Sequence, residues 1–234
     1  MRLKSRERLE MKKATLFFDD LKLGPSQIHK FREFIENLFK DYGVVYNYDF
    51  ATGEPIYRYP LIQFKLVKRK PAVPAIITIT DKAVNLFSVI FMNLNKIVID
   101  EIQISVYEKN LQIEDVVFGC STETYAYEFI SPWIGLDQKN YEIYAGTETA
   151  AQKSQILKKA LIADILSMSK YLGYWPEEGR KINLDIRLTE KTVHLKTKTM
   201  PGFTGVFKTD FIIPDYLGIG GSVLQGFGTV RRII

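Results

Sequence analysis

Ala14-Thr-Leu-Phe-Phe18 is the first strand signal of the chain, an apolar run that stops at a pair of aspartates. A helix is expected after it, because Pro25 and Ser26 suit a first helical turn. Apolar residues then recur at helical spacing up to a predicted end near Gly43, at Ile28, Phe31, Ile35, Leu38 and Phe39. A strand followed by an amphipathic helix therefore opens the pattern from which the fold is derived.

The rest of the first half completes a βαββαβ order. Extended segments at Tyr57–Val67 and Ala75–Thr80, separated by a turn at Lys70-Pro71, predict a hairpin. Ala83–Met92 predicts a second helix, and Lys96–Tyr107 predicts a long closing strand. This order is that of a ferredoxin-like domain.

The second half is predicted to repeat this order. Leu111–Gly119 and Thr124–Phe129 are extended, and Ala150–Leu172 is the clearest helix of the chain. We expect its apolar side to consist of Ile156, Ala160, Ala163, Ile165 and Leu166. Further strands are predicted at Ile182–Leu188, Val193–Thr199, Phe203–Phe207 and Phe211–Ile213, the first two joined through 189–192.

The fold class predicted is therefore α+β, with two tandem ferredoxin-like (βαββαβ) domains at residues 1–110 and 111–234. The charged lead Met1–Glu10 is expected to be an extension that is disordered or added by an upstream start, and it is not assigned to the first domain's fold. Ferredoxin-like domains are small, and 234 residues suffice for two of them without disulfide or metal support.

Composition narrows the classes of function. The chain has 32 Lys and Arg against 27 Asp and Glu, a net charge of +5, which weakly favours a polyanionic partner. Its single cysteine, Cys120, cannot form an internal disulfide or a thiolate zinc site. The sequence has no apolar run near the roughly 20 residues that a membrane span needs. We expect a cytoplasmic protein with no membrane, metal or cofactor.

Glycines are concentrated near the C-terminus, in Gly218-Ile-Gly-Gly-Ser-Val-Leu-Gln-Gly-Phe-Gly-Thr-Val230. Exposed amides of such a segment can bind phosphate oxygens. A Walker A loop is excluded because Lys-Ser/Thr is absent, and a dinucleotide fingerprint because a helix has no room to follow. A plain glycine turn before a final strand remains the alternative. The candidate RNA-binding glycines are Gly218, Gly220, Gly221, Gly226 and Gly228.

This glycine-rich segment resembles the signature of the repeat-associated CRISPR proteins, particularly their repeat-RNA-processing endoribonucleases. Two more stretches are similar to that family and appear in the same order. They are Tyr57-Arg-Tyr-Pro-Leu-Ile-Gln-Phe-Lys65 and Ser131-Pro-Trp-Ile-Gly-Leu-Asp-Gln-Lys-Asn-Tyr141. The three together make the resemblance specific from Met11 to the C-terminus.

The resemblance implies tandem ferredoxin-like domains that bind the repeat of a precursor CRISPR transcript. It also implies metal-independent cleavage, in which the ribose 2′-hydroxyl attacks the adjacent phosphate. This reaction needs a base, an acid and groups that stabilise the phosphorane. Relatives carry His-Asn-His after the first helix, where this chain has Tyr46-Asn47-Tyr48. The candidate catalytic residues are therefore Tyr46, Tyr48, His29 and Lys65, and metal ligands are not expected.

A second candidate for RNA contact is the segment Thr192–Met200. Alternation along one strand would place His194, Lys196 and Lys198 on the same face, where they could follow a phosphate backbone. A solvated edge protected by lysines is the alternative interpretation. Trp133 is expected to pack in the core and not to stack on a base.

The function predicted is metal-independent processing of CRISPR repeat RNA. Two alternatives stay open: a cleavage-impaired repeat-RNA-binding subunit of an interference complex, and an unrelated interaction module whose glycines only make turns. The expected partner is CRISPR repeat RNA, with other effector-complex subunits as further candidates. The protein is expected to be a monomer or a homodimer.

Overall fold

The computed structural model describes residues 8–39, 59–67, 72–79, 81–195 and 198–233. Its α-helices are α1 (Ile28–Leu38), α2 (Asp81–Asn93), α3 (Gln138–Ala145) and α4 (Ala150–Tyr171). Its strands are β1 (Leu9–Phe18), β2 (Ile62–Val67), β3 (Val73–Thr78), β4 (Lys96–Ile99), β5 (Ile102–Ser105), β6 (Lys109–Trp133), β7 (Leu184–Leu195), β8 (Lys198–Ile212) and β9 (Val230–Ile233). Short 3-10 turns lie at Pro25–Gln27 and Val223–Gln225.

The described residues form two compact units. The N-terminal unit contains those between Glu10 and Val116 together with Leu224–Gly226, and the C-terminal unit contains Val117–Val223, the residues from Phe227 and those before Glu10. The predicted boundary at residue 110 lies inside β6, and the division into domains 1–110 and 111–234 stays a prediction.

The N-terminal unit has the sheet order β2-β3-β1-β6. Both β1 and β2 pair antiparallel with β3, so β1 and β2 are parallel and separated by one strand, as in the split βαβ arrangement. One sheet face packs against the helices, where Phe31 of α1 makes edge contacts with Phe18 and Phe64 at 5.1 and 6.1 Å between ring centroids. The pairing of the predicted hairpin strands and both predicted helices of this half are confirmed. Helix α1 ends at Leu38, before the predicted end near Gly43, and the predicted turn at Lys70-Pro71 lies outside the described residues.

The predicted closing strand Lys96–Tyr107 is wrong. This segment forms a separate two-stranded sheet, β4 with β5, turning at Asp100 and Glu101, which both have positive φ. The fourth strand of the N-terminal sheet is instead the beginning of β6. Acidic residues at the tip, with a short apolar strand on each side, mark a hairpin turn that the apolar pattern alone does not reveal.

The C-terminal unit repeats the same strand order. Strand β8 lies between β7 and β6, and β9 pairs with the other edge of β6, which gives β7-β8-β6-β9. The α+β class and the duplicated ferredoxin-like order are therefore confirmed. Where a second helix would connect β8 to β9, the chain has only the glycine-rich segment with its single 3-10 turn.

Strand β6 is longer than predicted. The two extended pieces expected at 111–119 and 124–129 are one strand of 25 residues, interrupted by a register shift against β8 between Cys120 and Tyr125. Such a bulge bends a strand without ending it. Strand β8 likewise joins the two pieces predicted at 203–207 and 211–213. Its buried aromatic residues meet those of β6, with Phe207 5.3 Å from Tyr127 and 5.1 Å from Phe129 between ring centroids.

Helix α4 has the predicted bounds but buries a different side. Its N-cap is Thr149, whose hydroxyl accepts a hydrogen bond from the amide of Gln152. The buried residues are Leu157, Leu161, Ile165, Met168 and Ser169, so of the predicted apolar side only Ile165 is buried. Leu166 is 40% exposed. None of the described helices is long and apolar enough to cross a membrane.

The predicted hairpin turn at 189–192 is wrong. Strand β7 continues to Leu195, which pairs with Lys198 at the start of β8. The two strands are joined at residues 196 and 197, which lie outside the described residues. Helix α3 was not predicted, although Asp137 marks its start by accepting a hydrogen bond from the amide of Asn140 at 2.8 Å.

Candidate functional site

The glycine-rich segment is a closed loop between β8 and β9. Gly218 and Thr229 form an isolated antiparallel bridge, and the Ile219 amide donates to the Gly228 carbonyl at 2.9 Å. The 3-10 turn Val223–Gln225 lies at the far end of this loop. The loop therefore starts and ends at the same place, against the end of β6.

The residues at the end of β6 belong to the stretch Ser131–Tyr141, one of the three on which the family resemblance rests. Hydrogen bonds join the two stretches: the amides of Gly221 and Gly228 donate to the carbonyls of Ile134 and Pro132, at 2.7 and 2.8 Å. The amide of Thr229 donates to the Ser131 hydroxyl at 2.9 Å. Two motifs about 90 residues apart in sequence thus form one hydrogen-bonded structure within the C-terminal unit.

Trp133 lies at the centre of this structure and is fully buried. Its indole Nε1 donates to Asp164 of α4 at 2.8 Å, and its ring stacks on Phe129 with centroids 5.8 Å apart. A Cβ atom at Gly220 would lie 2.6 Å from that Nε1. The prediction that Trp133 packs in the core is confirmed. Burial raises the pKa of Asp164 to about 7, and the hydrogen bond from Trp133 opposes this rise.

The backbone of Ile219 lies so close to residue 228 that only glycine fits there. Gly228 has a φ of +62°, and a Cβ atom there would lie 1.9 Å from the carbonyl oxygen of Ile219. Its amide and that of Gly221 are already donors to protein carbonyls. These two amides are therefore engaged within the protein in this conformation.

The five candidate glycines differ in how much surface they offer. Gly218 and Gly228 are buried, Gly220 and Gly226 are half-buried, and Gly221 is exposed. Gly226 belongs to the N-terminal unit, where its Cβ position is 3.4 Å from the carbonyl oxygen of Phe64 in β2. RNA contact at Gly218, Gly220, Gly221, Gly226 and Gly228 stays a prediction.

Two of the four candidate catalytic residues are described, and both lie in the N-terminal unit. His29 is half-buried in the first turn of α1, which packs on the face of β2 that carries Phe64. Lys65 follows Phe64 in the strand, so its side chain leaves from the opposite face. The sheet therefore does not bring His29 and Lys65 together. Tyr46 and Tyr48 lie outside the described residues.

Lys65 is fully buried, opposite Ala75 of β3. Burial lowers its pKa to about 7 from an ordinary value of 10.5, because an ammonium loses its hydration there. A lysine with this pKa can exchange a proton near neutral pH. In this conformation its ammonium does not reach the surface.

The predicted basic face of one strand is wrong. His194 lies one residue before the end of β7 and Lys198 begins β8, so these residues belong to two different strands of the hairpin. His194 is exposed, and its Nδ1 lies 3.2 Å from the Thr199 hydroxyl. Lys196 lies outside the described residues. Whether this hairpin contacts RNA stays a prediction.

Comparison with known proteins identifies relatives for both units. Residues 9–116 match the family model of the Cas6b N-terminal domain, and residues 119–233 match that of the Cas6b C-terminal domain. A crystal structure of Cas6b is similar with a TM-score of 0.87 and 32% identity, covering 96% of this chain and 100% of that chain. A crystal structure of the CRISPR RNA processing endoribonuclease Cas6b has a TM-score of 0.75, with the same identity and coverage.

A curated relative matches part of the chain. An uncharacterized protein of Methanocaldococcus jannaschii is 44% identical over 116 residues, which cover 50% of this chain and 78% of that protein. A type IV CRISPR-Cas crRNA endonuclease, Csf5, is similar in fold, with a TM-score of 0.59 and 10% identity over 96% of this chain.

Replacing Gly228 tests the close approach to Ile219. Gly228→Ala should lower the free energy of unfolding by more than about 1 kcal/mol, because φ is positive and the new Cβ meets a carbonyl oxygen. Urea unfolding measures this loss. The control is Gly179→Ala, since Gly179 has a φ of +82° with nothing within 4 Å of its Cβ position. Equal losses in the two variants would contradict a steric role for Gly228.

The pKa of Lys65 predicts a pH dependence of stability. Between pH 7 and about 10 the unfolded chain binds one more proton at Lys65 than the folded chain, so stability from this group rises with pH. Lys65→Met should remove this rise. Urea unfolding of both proteins from pH 6 to 9 measures this difference. The free energy of unfolding of Lys65→Met should exceed that of wild type by the largest amount at pH 6. The exposed Lys22→Met is the control, and parallel pH profiles of wild type and Lys65→Met would contradict the shifted pKa.

Proposed function

This chain belongs to the Cas6b family, and from that premise we propose that it is a metal-independent endoribonuclease that binds and processes CRISPR repeat RNA. The observation that carries the proposal is the bonding between the stretches Ser131–Tyr141 and Gly218–Val230. These stretches suggested the family separately, and they share three hydrogen bonds from Gly221, Gly228 and Thr229. A chain whose glycines only made turns would not need them next to the Ser-Pro-Trp segment.

The reaction proposed is an internal transesterification. A base removes the proton of the ribose 2′-hydroxyl, and the 2′-oxygen forms a bond to the adjacent phosphorus. The bond from phosphorus to the 5′-oxygen breaks, and an acid protonates that leaving oxygen. The products are a 2′,3′-cyclic phosphate and a 5′-hydroxyl.

Tyr46 and Tyr48 are proposed to face the scissile phosphate. An ordinary phenol has a pKa near 10, so at pH 7 it supplies little base but still donates a proton. Lys65 is proposed to support them as a nearby cation, and its pKa of about 7 allows it to be charged below neutral pH. His29 is the alternative base. RNA contacts are proposed for His194, Lys196, Lys198 and the exposed glycines of the segment.

Cleavage-impaired repeat-RNA binding is the second candidate function. One observation favours it: Tyr46 and Tyr48 stand where relatives carry histidines, whose pKa near 6.5 suits acid–base catalysis at neutral pH. In this case the protein would hold repeat RNA within a complex of other effector subunits. In either case we propose a cytoplasmic monomer or homodimer.

Single-turnover cleavage of labelled repeat RNA in EDTA separates the two functions. We expect wild type to bind and to cleave slowly, and Tyr46→His/Tyr48→His to cleave faster, because two better acid–base groups replace phenols. Tyr107→His is the matched control, since Tyr107 is 83% exposed in the N-terminal unit.

The outcomes are distinct. Slow cleavage that only the double histidine variant accelerates supports the endoribonuclease and places Tyr46 and Tyr48 at the reaction. Tight binding without cleavage by wild type moves the protein to the binding function. Fast cleavage by wild type that does not change in Tyr46→Phe or Tyr48→Phe shows that the active site lies elsewhere.

A further inference from the structure

Two arginines from opposite ends of the chain meet at one bulge of β6. Arg8 precedes β1, Arg232 lies in β9, and the register shift of β6 runs from Cys120 to Tyr125. All of these residues belong to the C-terminal unit. A bulge re-aims side chains out of the regular ladder, and here it brings a hydroxyl and a phenol between the two arginines.

Each guanidinium group contacts one residue of the hydrogen-bonded pair Ser121 and Tyr125. Arg8 Nη2 donates to the hydroxyl of Ser121 at 3.3 Å, and that hydroxyl oxygen is 3.4 Å from the phenol oxygen of Tyr125. Arg232 Cζ lies 4.1 Å from the centroid of the Tyr125 ring. A guanidinium above an aromatic ring keeps its N–H edges free for another acceptor.

The support for these groups is rigid. The Ser121 hydroxyl also accepts a hydrogen bond from the Glu123 amide at 3.1 Å. The backbone carbonyl of Ser121 accepts one from the Arg180 guanidinium at 2.7 Å. The Tyr125 phenol donates to the Glu123 carboxylate at 2.9 Å. Ser121 and Tyr125 are buried, so the two side chains that contact the arginines are held by packing and by hydrogen bonds.

Among the described residues, Arg8 and Arg232 differ from two neighbouring arginines in having no carboxylate partner. Arg180 pairs with Asp210 at 2.8 Å, and Arg231 pairs with Glu128. In the described part of the chain, Arg8 and Arg232 have no carboxylate oxygen within 4.0 Å. Asp215 accepts the backbone amide of Arg232 at 2.7 Å, not its guanidinium. Both arginines are exposed, and a guanidinium has five N–H donors.

We propose that Arg8 and Arg232 bind phosphates of the RNA backbone, at a site that reads no bases. Guanidinium groups match phosphate oxygens through paired hydrogen bonds. The exposed hydroxyls of Thr122 and Thr124 on the same bulge add neutral donors. Glu123 supplies the opposing charge, which limits the affinity of the site. The proposal rests on RNA being the substrate of the proposed function.

The test measures RNA affinity as a function of salt concentration. Each phosphate contact contributes about 1 to the slope of log affinity against log salt. Arg8→Ala/Arg232→Ala should therefore lower the magnitude of this slope by about 2. It should also reduce the affinity for repeat RNA and for scrambled RNA by the same factor. Glu123→Gln removes the opposing charge and should increase the affinity for both RNAs. Arg8→Lys/Arg232→Lys should restore most of the slope.

The control removes the same charge elsewhere on the C-terminal unit. Lys139→Ala/Lys159→Ala takes away two exposed lysines, and a larger slope change in the arginine variant than in this control supports the site. Equal changes would show a general charge effect and overturn the proposal. Loss of affinity for repeat RNA alone would indicate base recognition and also overturn it. If wild type binds no RNA, the proposed function fails and not this site in particular.

Discussion

Hydrogen bonds between the end of β6 and the glycine-rich segment fix the arrangement of the C-terminal unit. The carbonyls of Pro132 and Ile134 accept the amides of Gly228 and Gly221, while Trp133 between them is buried against Asp164 and Gly220. Side chains at Gly220 or Gly228 would occupy the space of the indole or of a carbonyl. Gly220 and Gly228 are therefore required by packing before any ligand is considered, whereas Gly221 remains exposed.

The same strand order in both units shows why this loop exists. The N-terminal unit connects its third and fourth sheet strands through α2 and the β4–β5 hairpin, whereas the C-terminal unit connects β8 to β9 through the glycine-rich segment. A helix there would bury an apolar side over the sheet. The loop instead closes on itself through the Gly218–Thr229 bridge, and leaves β9 paired with β6 near the arginines of the bulge.

Local patterns predicted β1, α1, α2 and α4, because β1 ends in an apolar run and the three helices contain apolar residues at helical spacing. The buried side of α4 was not predictable in the same way: the helix is apolar enough that Leu161 and Leu166 are equivalent in sequence, and only packing decides that the first is buried. The turn of the β7–β8 hairpin was misplaced because Thr189–Thr192 has turn-like polarity within a continuous strand. Arg8 and Arg232 carry no local signal, since their meeting depends on the pairing of β9 with β6.

Hydrogen exchange of individual backbone amides tests the bonding of the two motifs most directly. If the Gly221 and Gly228 amides are held by the carbonyls of Ile134 and Pro132, they should exchange only when the C-terminal unit unfolds, as slowly as core amides of β6. The amide of Gly179, in an exposed turn, should exchange rapidly and sets the scale. Exchange of Gly221 and Gly228 at the rate of Gly179 would contradict the account, because the glycine-rich segment would then be free of the Ser-Pro-Trp segment.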